Sequence, residues 1–91
     1  MAKVYVVQEN PRVNILAAGR YGELIPLLNP GKQITLSSAP VVRLIRQKLK
    51  DYSDDDFILA MGDPVAIGIS CIIASEVNNG KVNILKWDRE N

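Results

Sequence analysis

Apolar and polar positions fall in blocks along the chain, and the blocks predict a small α/β domain. Lys3–Glu9 carries four consecutive apolar residues, Val4-Tyr5-Val6-Val7, and predicts a strand that Asn10-Pro11 breaks. Residues 12–22 are ambiguous: Asn14 ahead of Ile15-Leu16-Ala17-Ala18 suits one or two helical turns capped by Asn14 and ended by Gly19 or Gly22. Glu23–Leu28 predicts a second strand, and Pro26 within it points to a sheet edge or a bulge. Asn29-Pro30-Gly31-Lys32 has the Pro and Gly placement of a type II turn, with a short extension expected at Gln33–Leu36.

Two helices follow. Ser37 or Ser38 caps the first, Pro40 fits only its first turn, and the apolar positions Val41, Val42, Leu44, Ile45 and Leu49 carry it to about Asp51. Tyr52–Asp56 is a polar connection. Phe57–Met61 shows no alternation and predicts a strand buried on both faces, as in the middle of a parallel sheet. Pro64 to about Asn78 predicts the second helix, ended by Asn79-Gly80, which tolerate positive φ. Lys81–Trp87 predicts the last strand. The strand–helix–strand end of the chain is a βαβ unit, whose strands should be parallel. The expected architecture is a small two-layer α/β sandwich of three to five strands and two main helices, forming one domain over 1–91.

Composition narrows the class. The chain is 91 residues long, 47% hydrophobic and 23% charged, as in a globular domain. Its apolar runs are shorter than the ~18 residues of a membrane span, and Val4–Val7 is too short for the apolar region of a signal peptide. Cys71 is the sole cysteine, which excludes an internal disulfide and suits a reducing compartment. The net charge of +1 hides an asymmetry. Residues 1–50 hold eight Lys/Arg against Glu9 and Glu23, or +6, while residues 51–91 hold three against eight acids, or −5. Either the halves neutralise each other, or one meets an anionic partner.

Candidate chemistry is sparse. The Gly62-Asp63-Pro64 junction sits where α/β proteins hold phosphates, but it lacks the glycines of the known phosphate loops. Asp63 is placed as a helix N-cap with Pro64 at the first helical position, so the pair reads as a structural cap. There is no His, the commonest general base. Cys71 lies mid-helix among Ile69, Ser70, Ile72 and Ile73 and reads as a small buried hydrophobe. Asp54-Asp55-Asp56 reads as a solvated run without a calcium-loop pattern. Neither a catalytic residue, a metal nor a cofactor is expected.

Two surfaces hold more. Arg43, Arg46, Gln47 and Lys50 share one helix face, which suits either phosphate contact, with Arg20 and Lys32 as further candidates, or a solvated face at a helix C-terminus. The helix at 64–78 is apolar nearly all round. Val65, Ile69, Ile72, Ile73 and Val77 are expected to lie on the sheet. Gly68, Cys71 and Ser75 form a small-residue face, open either to the first helix or to a second copy of the chain across a two-fold axis.

Tyr5-Val6-Val7-Gln8-Glu9-Asn10, Ile58–Pro64 and Leu85-Lys86-Trp87-Asp88-Arg89 together resemble a group of small uncharacterised proteins of tailed phages. The resemblance spans nearly the whole chain. It implies a phage origin and a host-cytoplasm setting, and it carries over no functional residue. The function expected is that of a non-enzymatic phage accessory protein, a homo-oligomer that binds a host or phage protein. The alternative is a nucleic-acid accessory protein using the basic helix face.

Overall fold

The computed structural model describes residues 2–29 and 39–87. The turn expected at 30–32, the extension at 33–36, the serine caps, Lys32 and the polar tail after Trp87 lie outside them. Four parallel strands, β1 (Lys3–Gln8), β2 (Glu23–Leu28), β3 (Phe57–Ala60) and β4 (Ile84–Lys86), form one sheet in the order β2-β1-β3-β4. Helices α1 (Ala39–Lys48) and α2 (Pro64–Val77) precede β3 and β4, and a 3-10 helix, Leu16–Tyr21, joins β1 to β2. Val4 pairs with Leu24 on one side and Phe57 on the other, and Ile58 pairs with Ile84.

The chain first winds one way, from β1 to β2, then back across β1 to β3 and on to β4. Right-handed crossovers place connections that run in opposite directions on opposite faces of the sheet. The core divides accordingly. Tyr5, Val7 and Ile58 pack under Val41 and Ile45 of α1 and Ile73 and Ala74 of α2. Val4, Val6 and Leu59 face the other way, against Ile15 and Ala18 beside the 3-10 helix. Val4–Gln8 are all buried, which explains the unbroken apolar run of β1. Fully burying each Val, Leu or Ile stabilises by about 1.5–3 kcal/mol, so β1, with Val4, Tyr5, Val6 and Val7 all buried, contributes more apolar burial than any other strand.

Local signals explain most boundaries. Asn14 Oδ1 accepts from Leu16 N at 2.9 Å, and the 3-10 helix ends at Gly22. Pro26 sits on the edge strand β2, where its missing N–H costs no ladder bond to a second neighbour. Asn79 and Gly80 take φ of 56° and 85° and end α2. α1 stops at Lys48, short of Asp51, because Leu49 closes a turn by accepting from Tyr52 N at 2.9 Å. β4 covers three residues and is shorter than the expected Lys81–Trp87.

The faces of α2 differ in part from expectation. Ile69, Ile73 and Val77 pack into the core as expected, with Ala66, Ser70 and Ala74 buried beside them, while Val65 and Ile72 turn away and are 57% and 60% exposed. The small residues Ala66, Ser70 and Ala74 let the helix pack closely over Tyr5, Val7 and Ile58, and the larger Val65 and Ile72 are left outside. Ser70 enters at little cost, because its hydroxyl donates to Ala66 O at 2.8 Å.

The acidic run also departs from a purely solvated reading. Asp54 and Asp55 are exposed, but Asp56 is buried. Its carboxylate accepts from Lys3 N at 2.9 Å and from Ser53 N at 2.9 Å. Its carbonyl accepts from the Tyr52 hydroxyl and from Asn83 Nδ2, each at 3.0 Å, and Asn83 N donates to the same hydroxyl at 3.0 Å. This network ties together the N-terminal ends of β1, β3 and β4.

Burial pushes the Tyr52 phenol above its ordinary value; the Asn83 amide opposes this and the Asp56 charge adds to it. A raised folded-state value means that stability is intact below the ordinary phenol range and is lost as pH rises through the folded value, above about pH 10. Tyr52→Phe should cost about 1–3 kcal/mol at neutral pH by orphaning Asn83 N and leaving Asp56 O with the Asn83 side-chain amide alone. It should also reduce the alkaline loss, leaving the part due to Tyr5, which burial raises likewise. Urea melts at neutral and alkaline pH read both effects.

Candidate functional site

The winding of the sheet reverses between β1 and β3. In doubly wound α/β proteins ligands bind at such a point, outside the carboxyl ends of the strands. Here Gln8, the last residue of β1, spans it. Gln8 N donates to Met61 O at 3.1 Å, Oε1 accepts from Asp63 N at 3.0 Å, and Nε2 donates to Asn29 O at 3.2 Å. One side chain therefore joins the ends of β2 and β3 across β1. Gly62 makes room for it. Its φ is +106°, and a Cβ there would meet the Gln8 side chain and lie 2.9 Å from the Gln8 carbonyl oxygen. Shallow hollows of about 290 and 250 Å³ remain beside Gly62, bordered by Asn10, Val13 and Trp87 and by Glu9 and Pro11.

The start of α2 has few donors to offer an anion. Asp63 Oδ1 accepts from Val65 N at 2.8 Å and Ala66 N at 3.4 Å, Pro64 has no N–H, and Asp63 N is held by Gln8. The carboxylate takes the place a phosphate would need and carries the same sign of charge. Gln8 is the residue that reading the sequence missed. A polar residue ending an apolar strand gives no signal of what it will bridge.

The basic positions separate. Arg43, Arg46 and Gln47 are exposed on α1, but Lys50 lies in the turn beyond it. Arg46 Nη1 pairs with Glu76 Oε2 of α2 at 3.1 Å, both side chains being more than half exposed, so the pair contributes little to stability. Lys48 Nζ donates to Pro26 O at 3.1 Å. Arg20 belongs to the 3-10 helix on the opposite face of the sheet and does not extend this stripe.

The small-residue face of α2 divides as well. Gly68 is exposed, and nothing lies within 4 Å of a Cβ placed on it. Ser75 is half-buried, and Cys71 packs against the core under the helices. Burial pushes the Cys71 thiol above its ordinary value, which disfavours the reactive thiolate. Asp56 and Asp63 stand at opposite ends of β3. Among the described residues, no three or more His, Cys, Asp or Glu side chains form a group able to hold a metal, and none of the helices is long and apolar enough to cross a membrane.

With these bonds in place, Asp63→Ala should lower stability by about 1 kcal/mol through the lost cap. Urea melts measure it, and an unchanged midpoint would contradict the capping role.

The profile of a family described as Phage Pam3 gp32-like protein matches residues 2–91. No curated protein and no solved structure matches the chain. The chain thus belongs to the phage Pam3 gp32-like protein family.

Proposed function

We propose that this phage protein acts by binding rather than by catalysis, as an accessory factor in the host cytoplasm. It pairs with a second copy of itself and engages a host or phage protein. The observation that carries the reading is the outer face of α2. Val65, Gly68 and Ile72 stand at i, i+3 and i+7 on one stripe, with the two large apolar side chains more than half exposed. A helix that is apolar on the side away from its own sheet buries that side against something else. A two-fold copy supplies the same stripe, and Gly68 lets two helices approach closely. Cys71 and Ser75 flank this contact rather than form its centre.

The open space at Gly68 makes the test clean. Gly68 is exposed on the helix and a Cβ there has nothing within 4 Å, and Leu is the better helix former, so the Gly68→Leu protomer should melt no lower than the parent. Between two helices the added side chain forces the backbones apart, at a cost of about 1–3 kcal/mol of association. Light scattering should give the parent a mass of two 10.1 kDa chains and the variant a larger share of single chains. A parent mass of one chain at high micromolar concentration would overturn the self-association.

A further inference from the structure

We propose that the sheet face turned away from α1 and α2 binds single-stranded nucleic acid. The 3-10 helix covers β1 on this face and leaves a groove of about 310 Å³ over β3 and β4. Leu59 and Leu85 belong to its lining, together with Tyr21, Trp87 and Arg20, with Lys86 at its β4 edge, and among the described residues no carboxylate lines it. Aromatic rings for stacking beside cations for the backbone are the two parts of a single-strand site. Tyr21 is held by Phe57, with ring centroids 5.5 Å apart and planes tilted by 58°, yet it stays 44% exposed. A base stacks best on a ring already fixed in place, because less freedom is lost on binding.

Trp87 lies where two hollows meet. It borders this groove and also the hollow beside Gly62 and Asn10 at the carboxyl edge of the sheet. A strand seated on Trp87 therefore meets both hollows. A duplex keeps its bases stacked inside and offers none to these rings. An acidic peptide would use Arg20 but gains less from the Tyr21 and Trp87 rings. The surface lies across the sheet from the outer stripe of α2, so it does not depend on the pairing proposed above. It is also distinct from the Arg43 face, whose neighbour Arg46 is engaged by Glu76.

Trp87 is the single tryptophan of the chain, which makes its fluorescence a direct probe. An oligo-dT strand of about 12 nucleotides should quench it saturably at low salt, and added salt should reverse the quenching. With a dye-labelled strand read by anisotropy, Trp87→Leu should weaken binding about 10-fold or more. Arg20→Gln should weaken it and flatten its salt dependence, while Arg43→Gln should leave it unchanged. Circular dichroism checks the fold of each variant, and the exposed Arg20→Gln carries the test if Trp87→Leu does not fold. Absence of quenching would overturn the proposal. So would binding that depends on Arg43 and not on Arg20, or a poly-glutamate peptide that quenches Trp87 where the oligonucleotide does not.

Discussion

Gln8 meets the carboxyl ends of both neighbouring strands at once, and the geometry around it leaves little choice of residue. Its backbone N–H reaches Met61, its amide oxygen holds Asp63 N, and its amide nitrogen reaches Asn29 O. Gly62 has to come close enough for this that no side chain fits there. A parallel sheet that reverses its winding opens a crevice at the reversal. In this fold a side chain bridges that crevice, and the same bonds fix where β3 ends and α2 begins. The position of the Asp63 cap and the start of α2 follow from that point.

The opposite end of the sheet is tied in the same manner. Asp56, Tyr52 and Asn83 join β1, β3 and β4 through backbone groups that would otherwise lie buried without partners. Among the described residues, no buried side-chain nitrogen or oxygen lacks a hydrogen-bond partner. A network satisfied in this way fixes strand register, since a slip would orphan several buried groups together. Polar chemistry at both ends of the sheet is thus engaged in holding strands, and the open surfaces are the outer stripe of α2, the exposed side of α1 and the groove beside Trp87.

Much of the architecture is legible in the residues. The runs Val4–Val7 and Phe57–Met61 mark buried parallel strands, Pro26 marks an edge, and Asp63-Pro64 and Asn79-Gly80 bracket α2. These signals are local: a breaker, a cap, a glycine at positive φ. The rotation of α2 is not local. Its apolar residues surround the axis, so periodicity does not select the face that meets the sheet. Asp56 reads like Asp54 and Asp55 because the sequence does not reveal that Lys3 and Ser53 will bring their N–H groups to it. The contiguity of Arg43 and Lys50 fails because α1 ends early, at Lys48. The groove beside Trp87 depends on a 3-10 helix that covers only part of the sheet, and no spacing of residues announces it.

The central claim is that Gln8 holds the sheet together at its point of reversal. Gln8→Met keeps the length of the side chain and removes both amide bonds. A urea melt at neutral pH should show a loss of about 2 kcal/mol, since each of the two part-buried bonds contributes about 1 kcal/mol. An unchanged midpoint with an unchanged slope would contradict the account.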